Sequence, residues 1–218
     1  MKRREFSRTL IAATTGAAAL SWQAPGAAQG GPVEGRHYVR LSQPVPTTTE
    51  PGRFEVIEFF WYGCPHCNAF EPALDAWARQ LPADVTFRRV PVAFRAEPYG
   101  AHQRLYYALD AMGLVGAMQR KVFYAIHHDR LALDKPAEIA AFVAANGIDA
   151  TRFMETYNAF GTQTRVRQAN QLVEGYKIDG VPALGVHGRF YTSGTLAGDN
   201  ERALRVAEFL LQRLRKPG

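Results

Sequence analysis

Two cysteines, Cys64 and Cys67, are the residues of this 218-residue chain best suited to do chemistry, and the chain has no others. They stand three positions apart, so a disulfide between them would close a very small loop. Because the stabilisation from a disulfide grows with the length of the loop it closes, this bridge would add little to the fold. We therefore interpret the pair as a reactive dithiol that cycles between thiol and disulfide, needing no organic cofactor.

The residues between the cysteines indicate how the first sulfur would be activated. Pro65 suits the first position of a helix, which makes Cys64 the N-cap residue. Its sulfur would then face unpaired backbone amides and the positive end of the helix dipole, both of which favour the reactive thiolate. A shift of about three pKa units takes about 4 kcal/mol, and a helix terminus supplies at most about 2 kcal/mol. We expect amide hydrogen bonds and His66 to supply the rest, with Cys67 one turn on as the resolving thiol.

A C-x-x-C pair is also half of many zinc sites, so metal binding is the main chemical alternative. The other half would need two further histidines. None of the candidates is spaced with a partner as a recognisable second half-site. They are His37, His102, His127, His128 and His187. We expect no metal. The aromatic residues near the cysteines are expected to pack in the core or at its rim.

The flanking sequence predicts the elements that position the pair. Residues 54–60 form a short apolar run typical of a buried strand. After Cys64, apolar residues recur at spacings of three and four, which indicates an amphipathic helix that Pro72 should kink or divide. Strand character returns at 85–94.

The rest of the chain alternates in blocks. Helical patterns occupy residues from about 98 to about 175. Asp134 and Pro136 indicate the start of one helix, and Asn146-Gly147 indicates its end. Strands are predicted at 183–187 and 189–192, and a last amphipathic helix after 203. This order, with a short strand at 38–41, favours an α/β unit interrupted by a helical block.

The first 28 residues have the composition of a secretory signal peptide: a cationic start, an apolar stretch and small residues near Ala28. Arg3-Arg4 also fits a twin-arginine export signal, although ordinary signals carry such pairs too. Removal of residues 1–28 lowers the net charge from +6 to +3. No basic run remains, so a nucleic-acid partner is not expected.

Several motifs together resemble the DsbA family of periplasmic disulfide donors. The residues that carry the resemblance are Glu58-Phe59-Phe60-Trp61-Tyr62-Gly63-Cys64-Pro65-His66-Cys67, then Phe70-Glu71 and the distant Gly180-Val181-Pro182-Ala183. The resemblance implies a thioredoxin-like fold with an inserted all-helical domain. It also implies a redox-active disulfide passed to unfolded exported proteins with free thiols, and a DsbB-like, quinone-linked inner-membrane partner that reoxidises it. A periplasmic monomer is expected.

The same resemblance assigns parts to other residues. Val181-Pro182 would be a cis-proline loop beside the cysteines that binds substrate, whereas the local pattern alone also fits an ordinary trans turn. Glu58 would be a buried acid that helps move the proton of Cys67, whereas the strand pattern alone equally fits an outward-facing residue. Arg89 stands where the family often has lysine, and an arginine keeps its proton, which argues against proton shuttling there. Gly63 stands where the family often has a bulkier residue, so a smaller apolar surface is expected before the first cysteine.

These expectations give a domain division and two alternatives. We place the thioredoxin-like domain at 29–97 and 171–218, with the helical insertion at 98–170. The enzymatic alternative is a disulfide isomerase or a reductant. A dimeric isomerase would need an N-terminal dimerisation domain, for which the sequence has little room. A reductant would need a low reduction potential, against which His66 and a stabilised thiolate argue. The non-enzymatic alternative is a periplasmic chaperone in which the cysteines are incidental.

Overall fold

The central strand of the molecule, β2, ends directly before the cysteine pair and fixes where the pair lies. The computed structural model describes residues 30–96 and 98–216, so the predicted signal peptide at 1–28 lies outside the described residues. The strands are β1 (Val39–Arg40), β2 (Phe54–Phe60), β3 (Val85–Pro91), β4 (Ala183–Val186) and β5 (Phe190–Ser193). The helices are α1 (Pro65–Ala78), α2 (Tyr99–Ala111), α3 (Val115–His127), α4 (Pro136–Ala145), α5 (Ala150–Asn158), α6 (Phe160–Tyr176), α7 (Gly194–Ala197) and α8 (Asn200–Arg215).

One five-stranded mixed sheet has the order β1-β5-β4-β2-β3. Strand β2 pairs in parallel with β3 and antiparallel with β4, so it is covered on both edges. Its seven residues are Val-, Ile- and Phe-rich, as a central strand requires. The order of elements confirms the predicted α/β unit with a block of helices, α2 to α6, between β3 and β4.

The register of the sheet brings two distant segments together. Ala183 of β4 pairs with Phe59 of β2, so Pro182 lies beside the end of β2, where the chain turns into α1. On the other edge, Arg89 of β3 is the partner of Glu58. The sheet therefore positions both the Val181-Pro182 loop and Arg89 relative to the cysteines.

Two apolar clusters cover the two faces of the sheet. Ile57 and Phe59 belong to the cluster formed with the helical block. Val56, on the alternate face of the strand, packs with Phe70 and Leu74 of α1 and with α8. The opposite faces follow from the two-residue period of a strand.

Pro72 does not divide helix α1, so of the two outcomes predicted, a kink or a division, the division is wrong. The helix continues from Pro65 through Pro72 to Ala78. Phe70 and Leu74, on either side of the proline, are both buried in the core. Their packing holds the turn in which the proline removes a backbone hydrogen bond.

Smaller differences concern the ends of strands. β1 spans two residues rather than the four predicted, because only Val39 and Arg40 pair with β5. Residues 187–189 connect β4 and β5, and a hydrogen bond from the Arg189 amide to the Val186 carbonyl oxygen closes the turn. Its central residues, His187 and Gly188, are both at positive φ, as a type I′ turn requires. A side chain at Gly188 would collide with the backbone oxygen of Val45. The predicted domain boundaries at 98 and 170 stay a prediction.

Candidate active site

Cys64 occupies the N-cap position of α1, as the sequence predicts. Its backbone is extended, with φ −85° and ψ 116°, and Pro65 begins the helix. Cys64 keeps 7% of its surface exposed, whereas Cys67, one turn on, is fully buried. An incoming thiol can therefore reach the first sulfur but not the second.

The two thiols are electrostatically unequal. A hydrogen bond from the Cys67 thiol is the largest influence that lowers the pKa of Cys64, from 9.0 to about 6. The backbone amides of Cys67 and His66 add to it, and the charge of His66 contributes least. Burial raises the pKa of Cys67 well above its ordinary value, and the neighbouring Cys64 and Glu58 raise it further.

This asymmetry predicts how the stability of the reduced protein depends on pH. The pKa of Cys64 is lower in the folded than in the unfolded state, so its ionisation stabilises the reduced fold fully above pH 9. That stabilisation should be lost progressively as the pH falls towards 6. Denaturant unfolding of reduced and oxidised protein at several pH values checks this. As the pH falls, the reduced protein should lose unfolding free energy relative to the oxidised protein. A difference in unfolding free energy that does not depend on pH would contradict the lowered pKa of Cys64.

The loop before β4 lies against the first sulfur. The Val181–Pro182 peptide bond is cis, and the Cys64 Sγ lies 3.5 Å from the carbonyl oxygen of Val181. An open cleft of about 630 Å³ runs beside this contact. Its walls include His66, Val181, Pro182, Tyr191 and Leu196. The structure thus brings Val181 and Pro182 to Cys64, in the arrangement that the resemblance implies.

A buried charged cluster lies beneath the cysteines. Glu58 is fully buried, so the outward-facing alternative is wrong. Its Oε2 accepts a hydrogen bond of 3.1 Å from Nε of Arg89. Nη2 of the same guanidinium donates to Glu71 at 2.6 Å and to Asp75 at 3.1 Å. Glu58 thus lies behind the pair and outside the cleft.

Comparison with known proteins agrees with this geometry. The chain is 42% identical over 181 residues to the thiol:disulfide interchange protein DsbA of Azotobacter vinelandii, covering 83% of this chain and 84% of the relative. The Bordetella pertussis protein of the same name is 41% identical over 222 residues. That match covers 99% of this chain and 100% of the relative. A family model described as a DSBA-like thioredoxin domain matches residues 99–203. That segment begins after the cysteines, so the longer matches decide the assignment.

The chain belongs to the DsbA family.

The solved structures of DsbA proteins extend this result to the fold. The crystal structure of Pseudomonas aeruginosa DsbA superimposes with a TM-score of 0.80 at 39% identity, over 84% of this chain and 94% of that one. DsbA from Xylella fastidiosa gives 0.78 at 32% identity, over 84% and 98%. The predicted thioredoxin-like fold is confirmed, and the protein is a disulfide oxidoreductase.

Gly63, which departs from the bulkier residue expected in the DsbA family, is explained by its neighbour. The indole of Trp61 folds over Gly63, where a Cβ would overlap the ring. The same indole stacks on Tyr99, with ring centroids 4.2 Å apart. Trp61 thus supplies apolar surface before the first cysteine, and the expected loss of that surface does not follow.

Replacement of Gly63 by alanine should displace this indole. We expect a loss of about 1–3 kcal/mol of unfolding free energy, as for other overpacked sites. Gly161→Ala is the matched control, because Gly161 is exposed in α6 with nothing within 4 Å of an added Cβ. The control should be neutral or slightly stabilising. Equal effects of the two substitutions on urea unfolding would count against the Trp61 contact.

The remaining chemical predictions concern metals and membranes. Within 30–96 and 98–216, no group of three or more histidine, cysteine, aspartate or glutamate side chains is arranged to hold a metal. His127 instead hydrogen-bonds the carbonyl oxygen of Tyr62 through Nε2, at 2.8 Å. Over the same residues, no helix combines the length and the apolar character that crossing a bilayer requires.

The sequence reasoning missed the part that Glu71 and Asp75 play. Both contact Arg89, yet only Glu58 was singled out as a buried acid. A signal was present, since Cys67, Glu71 and Asp75 recur every four residues and so share one face of α1. Since Cys67 is expected to face the core, two acidic residues on the same face of α1 indicate a buried polar cluster.

Proposed function

We propose that the protein donates a disulfide held between Cys64 and Cys67 to newly exported proteins with free thiols. The observation that carries the proposal is the unequal pair: a reachable sulfur with a lowered pKa in front of a buried one with a raised pKa. A stabilised thiolate favours the reduced form of the pair. The disulfide form is therefore a good oxidant.

The proposed exchange proceeds through a mixed disulfide. A substrate thiolate attacks the Cys64 sulfur, a new S–S bond forms, and the Cys64–Cys67 bond breaks with its electron pair passing to Cys67. Because Cys67 favours its neutral form, it takes up a proton as it leaves. A second substrate thiolate then attacks the substrate sulfur of the mixed disulfide and releases Cys64 as a thiolate. The substrate is oxidised by two electrons and the pair is reduced.

Supporting residues have separate parts in this proposal. Pro65 begins the helix that holds Cys64, and His66 adjusts the environment of the thiolate. The Val181-Pro182 loop offers backbone groups to an extended substrate in the cleft. Glu58 lies beneath Cys67 and takes part in moving its proton.

The cellular setting follows from family membership and from the N-terminal sequence. We propose a periplasmic monomer, exported by the signal at 1–28 with cleavage near Ala28. Reoxidation of Cys64 and Cys67 falls to a DsbB-like inner-membrane partner that passes electrons to quinone. In the proposed division, the thioredoxin-like parts at 29–97 and 171–218 carry the chemistry, and the insertion at 98–170 flanks it.

Equilibration of the mature protein with glutathione redox buffers tests the function. We expect the Cys64–Cys67 disulfide to be reduced at much lower ratios of reduced to oxidised glutathione than a structural disulfide is. A strongly reducing pair would instead favour the reductant alternative. Refolding of a substrate with scrambled disulfides then distinguishes the two enzymatic activities. An isomerase would restore the native disulfides of that substrate, whereas a disulfide donor would oxidise a reduced substrate and leave the scrambled one largely unchanged.

His66→Ala tests how much the imidazole contributes. Alanine removes the side chain but keeps the backbone amide that faces Cys64, and the charge of His66 is the weakest of the influences on that thiol. We therefore expect the pKa of Cys64 to rise by less than about 1 unit, with a slightly less oxidising disulfide. Thiolate absorbance across the titration measures this. A rise of the Cys64 pKa to the ordinary value of a cysteine would make His66 the dominant influence on that pKa. That result would contradict the order in which the Cys67 thiol contributes most and the charge of His66 least.

A further inference from the structure

The cleft beside Cys64 is negatively charged. Two aspartates, Asp179 and Asp199, lie in its walls. Among the described residues that line it, none is lysine or arginine, and the only basic side chain is that of His66. Since aspartates are ionised at neutral pH, the cleft is negative even when His66 is protonated. The chain as a whole is basic, with or without residues 1–28, so this acidity is a local feature of the cleft.

The two aspartates differ in what they are free to bind. Asp199 is the N-cap residue of α8, and its carboxylate accepts a hydrogen bond of 2.6 Å from the Arg202 amide. The positive end of the helix dipole offsets part of its charge. Asp179 is exposed, and within residues 30–96 and 98–216 its carboxylate has no hydrogen bond or ion pair. Asp179 is therefore the acid that remains available to a molecule in the cleft.

Asp179 lies close to the reacting sulfur. It precedes Val181 by two residues, and the Val181 carbonyl oxygen is 3.5 Å from the Cys64 Sγ. Two residues of chain span at most about 7 Å. An extended substrate advances about 3.3 Å per residue. A side chain within about two positions of the substrate cysteine can therefore reach the Asp179 carboxylate.

The ring of Tyr191 gives this carboxylate an aromatic neighbour. Tyr191 lies on β5 opposite Gly185 of β4, and it lines the same cleft as Asp179. Burial and then the nearby charge of Asp179 raise the pKa of Tyr191, so the phenol is neutral. A lysine or arginine side chain can pack its aliphatic stem and its cation on such a ring while its charge meets the carboxylate.

The proposed exchange itself makes the charge of the cleft important. The attacking species is a thiolate, and a negative cleft repels it. A basic residue beside the substrate cysteine offsets this repulsion, because its charge is attracted to the carboxylate. An acidic residue at the same place adds to the repulsion. The cleft therefore distinguishes substrates by the charge next to their cysteine.

We propose that Asp179 and Tyr191 form a subsite for a lysine or arginine side chain, so that the protein prefers substrate cysteines with a basic residue within about two positions. The inference rests on the proposed function and deepens it by naming the substrate class. Asp179 contributes charge and Tyr191 contributes the face of its ring. Neither residue makes or breaks a bond in the exchange.

Reduced, capped pentapeptides with a central cysteine test the preference. The other positions are glycine, except for one lysine or one glutamate two positions before or after the cysteine. The rate with oxidised protein is divided by the rate of the same peptide with oxidised 2-mercaptoethanol, which removes differences in thiol reactivity. In dilute buffer the better lysine peptide should react about fivefold faster than its glutamate counterpart. The difference should shrink at about 1 M salt.

Substitutions in the cleft should change this ratio of lysine to glutamate rates. Asp179→Asn should lower it about threefold, and Asp179→Lys should reverse the preference. Tyr191→Leu should lower it about twofold by removing the ring. Glu155→Gln is the matched control, because it removes one negative charge from an exposed residue of α5 outside the cleft. The control should keep the wild-type ratio.

The outcomes separate this inference from the function on which it rests. Equal rates of the two peptides with wild-type protein would overturn the subsite, as would equal ratios in Asp179→Asn and Glu155→Gln. A wild-type ratio in Tyr191→Leu would exclude the ring from the subsite. If a cleft variant does not fold, the salt dependence of the wild-type ratio decides, and a ratio that salt does not change contradicts the charge preference. Wild-type protein that oxidises neither peptide would overturn the proposed function instead.

Discussion

Serine at position 64 should reduce disulfide transfer to the uncatalysed background while leaving the fold intact. Serine matches cysteine closely in size, and a hydroxyl group can also contact the Val181 carbonyl oxygen, which lies 3.5 Å from the Cys64 sulfur, and the Cys67 thiol, so little stability should be lost. A hydroxyl group cannot form the mixed disulfide. Oxidative refolding of a reduced substrate with stoichiometric protein measures the transfer, and circular dichroism checks the fold.

Cys67→Ser is the matched control and should behave differently. It keeps the reactive Cys64 but removes the resolving thiol, so mixed disulfides with substrate should accumulate and be visible by mass spectrometry. The pair of variants also tests the chaperone alternative. A holdase would keep preventing aggregation after Cys64→Ser. An adduct that also accumulates in Cys64→Ser would lie on Cys67 and would contradict the assignment of Cys64 as the sulfur that substrate reaches.

Arg89→Met should cost about 3–5 kcal/mol of unfolding free energy at neutral pH, because it leaves buried carboxyl groups without their cation. Without Arg89, the pKa of Glu58 rises above a value that is already about 8. A pKa raised in the folded state means that stability is lost as the pH rises, from about 4.5 through the folded value. The variant should therefore recover part of its stability in acid.

The control for this substitution is Arg79→Met. Arg79 also contacts Asp75, at 3.2 Å, but its side chain is 71% exposed. Exposed ion pairs contribute at most about 1 kcal/mol, so the control should lose little. Urea unfolding of both variants from pH 5 to 9 makes the comparison, and equal losses would show that the Arg89 cluster is no more important than a surface pair.

The first cysteine could be placed from the sequence because its environment is local. Pro65 fixes the start of α1, and the spacing of Cys67, Phe70 and Leu74 defines its buried face. These signals lie within one helix and need no knowledge of the rest of the fold. Cys64 at the N-cap and Cys67 in the core are accordingly as predicted.

Features that depend on pairing between distant segments needed the structure. The pattern of β2 did not reveal whether Glu58 faces water, because that depends on β3 bringing Arg89 to it and on α1 covering it. Helix α7 was missed since it has four residues, too few for a hydrophobic period. The undivided passage of α1 through Pro72 likewise depends on tertiary packing.

The contact between Cys64 and Val181 joins positions 117 residues apart, with six helices between them. A chain that emerges amino terminus first therefore presents its reactive sulfur well before the loop that will cover it has been made. Pairing across so long a separation is also slow to form. Until the residues of that loop have been made, the Cys64 sulfur lacks the contact that covers it in the folded protein.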